Sequence, residues 1–289
     1  MLYNIVMNSV IEDLDFFKEY TGTNESELSE VLNIPRSSFH NWRNNRTKAS
    51  NVQYEKIYNY IYEEGIRIND LKSQLYKDIE TKNRKILYHG SKKTIEDKID
   101  LKHSKNANDF GIGFYLGQNL YQAASFIAEK MNSNVYIFEF NNKQNLKIKE
   151  FNVCEEWMMI IAYYRGLLRN FKITKKLQDN INELKLYDIV IAPIADNNMY
   201  QIIDDFVGGN ITNQQCISSL AASNLGKQYV FLTNRSLEYL QMKERCYLCN
   251  EERKYYRELK RQNFENGKQK VRFAMRKYAG KGKYIDELL

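Results

Sequence analysis

Lys85-Ile86-Leu87-Tyr88-His89-Gly90-Ser91 is a short apolar run stopped by a glycine and a serine. The pattern predicts a buried strand over 86–88 that ends in a turn, with His89 at its end on the rim of any cleft formed there. Further on, Gly111-Ile112-Gly113-Phe114-Tyr115-Leu116 is a second short apolar run bracketed by glycine, with a tyrosine inside it. A helical pattern follows over 121–130. Gly111-x-Gly113-x-x-x-Gly117 is one residue too long for a dinucleotide fingerprint, and the polar loop Asn106-Ala107-Asn108-Asp109 precedes it where a strand would be needed.

Outward from this stretch the chain alternates between the two periods. Strands are expected over 135–140, 187–193 and 228–232. Helices are expected over 155–168, 199–207, 213–222 and 236–242. Scattered strands with intervening helices predict an α+β domain over 85–242.

The N-terminal residues 1–66 predict a small all-α domain. Ile11, Leu14, Phe17 and Tyr20 recur at helical spacing until Thr21-Gly22-Thr23 breaks the helix. Asn24 and Glu27 form a capping-box pattern that opens a second helix containing Leu28, Val31 and Leu32. Asn33-Ile34-Pro35 makes a tight turn, and a third helix carries Phe39 and Trp42 inward. After a polar loop, Tyr54, Ile57, Tyr58 and Ile61 mark another helix. Residues 67–84 carry Leu71, Leu75 and Ile79 at i, i+4, i+8 and predict a connecting helix.

Short helix, three-residue turn, short helix is the helix-turn-helix layout, and this segment resembles the repressor-like helix-turn-helix family. The resemblance implies that the second helix presents Arg36, Ser37, Ser38, His40, Asn41 and Arg43 to the major groove. Arg36 and Arg43 suit guanine edges or phosphates, Asn41 suits adenine, and Arg46 and Lys48 would touch the backbone. A helical bundle used for dimerisation or for docking a partner protein is the alternative reading.

The net charge of +7 is unevenly spread. Between residues 241 and 283 fourteen Lys/Arg face five Glu, a net +9, which leaves the remainder at −2. Aromatics interleave with the cations of this tail (243–289), a composition suited to nucleic acid and equally to an amphipathic helix packed on the domain before it. Tyr255, Leu259 and Gln262 would share a face of such a helix. Only 2 prolines and 13 glycines in 289 residues argue against a disordered or fibrous chain. No apolar run approaches the ~18 residues of a membrane helix, and no basic stretch followed by an apolar run suggests a secretory signal. Four cysteines do not make a disulfide framework in a chain this long, which predicts a reducing cytoplasm. Cys246-x-x-Cys249 has no second pair to complete a zinc site, so no metal is expected.

His-Gly-Ser at 89–91, Gly-x-Gly-Phe-Tyr-Leu at 111–116, and the late strand Lys227-Gln228-Tyr229-Val230-Phe231-Leu232 together resemble the ADP-ribosyltransferases of the poly(ADP-ribose) polymerase and diphtheria-toxin type, and a bacterial branch known mainly as an uncharacterised domain. The resemblance implies a core of two small sheets around a cleft for NAD, which is the substrate. His89 would bond a hydroxyl of the adenosine ribose, the Gly90 backbone would bind the nicotinamide carboxamide, and Ser91 would lie near the nicotinamide ribose. Tyr115 would line the nicotinamide pocket and Phe126 would stack on the ring, while Ala123 stands where the polymerases have a serine. Gln228 occupies the place of the family's glutamate. It can accept a hydrogen bond from the ribose 2′-hydroxyl but is neutral and cannot act as a base. Single transfer is therefore expected rather than polymer growth, and Asp196, Asp204 and Asp205 are candidate bases. The expectation is a mono-ADP-ribosyltransferase behind a helix-turn-helix domain, acting on an unidentified macromolecule. A toxin or phage-defence role accords with the family. The alternative is a DNA-binding regulator whose transferase-like domain only binds NAD, ADP-ribose or a partner. A homodimer is compatible with either.

Overall fold

The structure, a computed structural model, describes residues 9–95, 99–102, 104–142, 145–195, 197–222 and 226–289. Among these residues it is α+β, with twelve helices and seven strands. In chain order they begin α1 (Ser9–Thr21), α2 (Glu25–Leu32), α3 (Arg36–Arg43), α4 (Asn51–Glu63), α5 (Ile68–Lys77), β1 (Arg84–Ser91), β2 (Phe114–Gly117), α6 (Leu120–Ile127), β3 (Asn134–Asn141) and β4 (Ile148–Glu150). They continue α7 (Glu155–Tyr164), α8 (Lys175–Leu184), β5 (Ile189–Pro193), α9 (Asn197–Val207), α10 (Asn213–Ala222), β6 (Lys227–Phe231), α11 (Asn234–Leu237), β7 (Leu240–Tyr247) and α12 (Asn250–Lys277). Among the described residues no helix is long and apolar enough to cross a membrane. The chain divides into two units, neither continuous: Met1–Glu96 with Asn119–Asn141 and Gln241–Leu259, and Asp97–Gln118 with Asn142–Leu240 and Lys260–Leu289.

In the first unit the helices form as their local signals require. Asn24 Oδ1 accepts from the Ser26 and Glu27 N–H groups, and Glu27 Oε2 accepts from the Asn24 N–H at 2.9 Å, completing the capping box that starts α2. Asn33 closes α2 in the left-handed conformation, φ 49°. Its N–H reaches Glu30 O while that of Ile34 reaches Ser29 O, a Schellman closure that turns the chain into Pro35 and α3. Phe39 and Trp42 point into the core as an edge-to-face pair with ring centroids 5.4 Å apart. Tyr54, Ile57, Tyr58 and Ile61 of α4 are all buried with them.

Five expected apolar positions lie elsewhere. The buried stripe of α1 runs Val10, Ile11, Leu14, Phe17, while Tyr20 falls off its edge and stacks on Phe16 at the surface. Val31 of α2 is exposed. Leu71 and Leu75 of α5, and Ile79 just beyond it, are exposed, because polar side chains take the inward side. There Asn69 donates to Tyr247 O and Glu252, and Lys72 pairs with Asp13 at 2.6 Å and Glu244 at 3.2 Å.

The strands of the first unit lie in the order β1-β3-β7. β1 and β3 are antiparallel from Arg84↔Asn141 to Ser91↔Asn134. β1 therefore continues past Tyr88 through His89, Gly90 and Ser91, where the sequence suggested a turn. The helix expected over 236–242 is α11 followed by β7.

In the second unit the order is β4-β5-β6-β2. Tyr115↔Val230 and Gly117↔Gln228 pair across β2 and β6, and Val190↔Val230 and Ala192↔Gln228 across β5 and β6. Directly opposed residues share a face, so Tyr115, Gln228, Val230, Val190 and Ala192 all point the same way. Val230, Val190 and Ala192 join one core with Trp157, Ile160 and Ile161 of α7 and Ile203 and Phe206 of α9, and Tyr115 packs against it. α7 ends at Tyr164, earlier than its pattern suggested, because Gly166 turns the chain at φ +77°.

The basic tail is helical. α12 lies in the first unit as far as Leu259 and in the second beyond it. Its inward residues in the first unit are Glu252, Arg253 and Tyr256, with Tyr255 exposed beside them. Arg253 is buried and paired with Glu55 at 3.3 Å.

Candidate functional site

The His-Gly-Ser segment sits on β1, opposite β3. His89 faces Tyr136 across the ladder and is half-buried. Gly90 has a packing reason for being glycine: a Cβ there would lie 2.4 Å from Ala123 O and 3.1 Å from Ile127 Cγ2 of α6. Only a bare Cα lets α6 rest on β1. Ser91 Oγ donates to Lys93 O at 2.8 Å and accepts from the Lys93 N–H at 3.1 Å, a local turn contact. Ala123 is buried, whereas Phe126, on the outer side of α6, is 80% exposed.

The second unit holds a denser polar constellation. Tyr115 donates to Gly111 O at 2.8 Å and accepts from the Phe110 N–H at 3.1 Å, so its hydroxyl ties down the loop that leads into β2. Burial, partly offset by the Phe110 bond, pushes its phenol above the ordinary value. Gly111 is needed in that loop, since it takes φ +73° and passes within 2.8 Å of the Tyr164 ring at its Cβ position. The loop carries Asp109, 4% exposed. Asp109 Oδ1 accepts from Arg165 Nε at 3.0 Å and Nη2 at 2.7 Å, and also from the Tyr200 hydroxyl. The guanidinium lies over the Tyr200 ring, 4.0 Å from its centroid. Burial works against the charge on Arg165, but the charge and hydrogen bond of Asp109, with Tyr200 and Tyr115, together outweigh it and raise the guanidinium above its ordinary value. Burial and Asp109 together push the Tyr200 phenol up.

Gln228, 7% exposed, closes the constellation. Its Nε2 donates to Asp109 Oδ2 at 2.9 Å and to Pro193 O at 3.1 Å. Both partners only accept. A glutamate here would face a carboxylate and a carbonyl oxygen with one guanidinium to balance two negative charges. That accounts physically for glutamine where the resemblance leads one to look for glutamate. Tyr115 and Gln228 therefore share one face of the β2–β6 pair. Asp109, Arg165 and Tyr200 were not anticipated. Asp109 reads in sequence as part of a polar loop, and its one signal is the Phe110-Gly111 that follows and returns the loop to the core. Arg165 and Tyr200 carry none. Of the candidate bases, Asp204 is exposed on α9, Asp205 accepts from Gln201 at 3.3 Å, and Asp196 lies outside the described residues.

On α3, Arg36, Ser37, His40 and Arg43 are exposed, Ser38 and Asn41 half-exposed, and Arg46 and Lys48 exposed in the loop beyond. Arg43 is already engaged, with Nη2 2.6 Å from Asp15 and Nη1 3.3 Å from Glu25. Asn44 folds back onto His40, donating to its carbonyl at 2.8 Å.

An α+β chain, with two short helices α2 and α3 joined by a tight turn and a polar constellation beside its β2–β6 strands, is thus the class that fold and site define. The chain belongs to the family described as protein of unknown function (DUF3990), which it matches over residues 85–242. No curated protein and no solved structure matches the chain.

Proposed function

We propose that the protein is an NAD-dependent mono-ADP-ribosyltransferase. The observation that carries this reading is the register of β2 and β6, which puts Tyr115 and Gln228 on one face with the Asp109 carboxylate 2.9 Å behind the glutamine. Breaking the N-glycosidic bond of NAD leaves the electron pair on nicotinamide and develops positive charge on the ribose. Gln228 accepts from the ribose 2′-hydroxyl, and the negative charge lies one residue away, on Asp109. The acceptor forms the new bond to the ribose carbon and gives up its proton. The resemblance assigns the adenosine and carboxamide ends of NAD to His89, Gly90 and Ser91 and the nicotinamide site to Tyr115. A neutral glutamine fits one transfer to a macromolecule better than chain growth, and a toxin or phage-defence role fits such chemistry.

The test is nicotinamide release from NAD by the full-length protein, His89→Ala and Gln228→Ala. Release by wild type alone supports the reading. NAD bound in a calorimeter without release replaces it with the second reading, a DNA-binding regulator that senses NAD or ADP-ribose. One observation favours that alternative: the Tyr115 hydroxyl is committed to the backbone at Gly111 and Phe110. Neither binding nor release refutes both. Under either reading α3 contacts nucleic acid chiefly through Arg36, His40 and Asn41, since Arg43 is held by carboxylates.

A further inference from the structure

We infer that Asp109 is a positioning residue that locks the Gln228 side-chain amide with its oxygen, Oε1, turned to the ligand. The argument rests on which atoms can donate. Asp109 Oδ2 and Pro193 O stand 2.9 and 3.1 Å from Nε2. Both are acceptors, so the flipped amide would set its oxygen against two oxygens and strand two acceptors at once. The amide has one satisfactory orientation. In it both Nε2 hydrogens are used, and Oε1 has no partner among the described residues. Nor is Oε1 one of the solvent-sealed polar atoms left without a partner, so it keeps contact with solvent. The side chain is thereby made a pure acceptor, the property a ligand hydroxyl requires.

Asp109 is itself fixed on its other oxygen by Arg165 and Tyr200. It cannot turn away without leaving the guanidinium unpaired. The chain Arg165–Asp109–Gln228 thus transmits orientation from the end of α7 to β6. It also gives Asp109→Asn a definite consequence. The new amide would keep its oxygen on Arg165 and turn its nitrogen toward Gln228, so that Nε2 loses one of its two acceptors and keeps only Pro193 O. The Gln228 amide then loses its fixed sense and offers donor and acceptor alternately.

The inference deepens the transferase reading and rests on it for the ligand, but not for the geometry. The geometry is tested first, in full-length protein labelled with ¹⁵N-glutamine. The Gln228 side-chain amide protons exchange slowly in wild type and at least about tenfold faster in folded Asp109→Asn, the factor expected for losing one hydrogen bond. Equal exchange in the two folded proteins overturns the inference. If Asp109→Asn does not fold, Gln228→Glu reports the same contacts. Its carboxyl, facing Asp109 and Pro193 O, retains a proton, so its stability rises relative to wild type as pH falls from 8 to 5. A pH dependence identical to wild type overturns the inference. Function is read separately as NAD cleavage. Asp109→Asn lowers kcat about 100-fold, the scale for losing one aligned polar group, with KM little changed; a loss confined to KM contradicts orientation at the reacting ribose. Wild type that neither binds nor cleaves NAD removes the transferase reading, while the amide exchange still decides the role of Asp109.

Discussion

Replacing Glu252 by glutamine should relieve a pH-dependent instability built into the first unit. Glu252 lies at the start of α12, 7% exposed, and accepts from Asn69 Nδ2 at 2.8 Å. Burial pushes its carboxyl up to about 8. Asp70 adds to the push, while the Asn69 bond and the charges of Arg67 and Arg253 pull back. The unfolded chain releases this proton near 4.5. The folded value is the higher one, so stability from this group is complete below about pH 4.5 and is lost as pH rises through 8. At 1.36 kcal/mol per unit, the loss between pH 5 and 8 amounts to about 3 kcal/mol. The substituted side chain keeps the acceptor for Asn69 and cannot ionise, so Glu252→Gln should be close to wild type at pH 5 and more stable by about 3 kcal/mol at pH 8. Urea unfolding followed by tryptophan fluorescence at intervals between those limits measures the difference. A gap between the two proteins that does not change with pH would refute the reasoning, since the carboxyl would then not be carrying its proton in the folded state.

Gly90→Ala should destabilise by about 2 kcal/mol through the clash with Ala123 O, a thermal-melt loss that appears with or without NAD. Arg165→Met leaves the Asp109 carboxylate uncompensated and should cost about 3 kcal/mol, while the Arg165→Met/Asp109→Asn pair costs less than the two singles summed; a double-mutant cycle by urea unfolding reads the coupling. If α3 docks on DNA, Arg36→Ala weakens binding and lowers the salt slope by about 1, whereas Arg43→Ala does so less because Asp15 and Glu25 already hold that side chain; salt-dependent titrations distinguish the two.

Local chemistry was the legible part of this chain. The α2 capping box, the Asn33-Ile34-Pro35 turn, the Phe39/Trp42 pair and the span of α10 follow from nearest-neighbour rules, and the structure has them as the residues suggest. Where periodicity misled, a polar residue occupied the inside. Lys72 and Asn69 take the buried side of α5 because Asp13 and Glu244 pair with the Lys72 ammonium and Glu252 accepts from Asn69 Nδ2, and no spacing rule on α5 alone contains those partners. β1 runs on through Gly90-Ser91 because β3 supplies its ladder and α6 its cover, both distant in sequence. Tyr115 and Gln228 could be picked out by motif. Asp109, Arg165 and Tyr200 could not, since they come together only when the loop before β2 meets the end of α7 and the start of α9.

The most direct measurement uses NAD labelled on its adenylate phosphate, incubated with full-length wild type or with His89→Ala/Gln228→Ala in a lysate containing protein and nucleic acid. The account predicts label transferred to a macromolecule by wild type alone, with nuclease and protease treatment telling which class accepts it. Equal labelling by both proteins, or none by wild type, would contradict it.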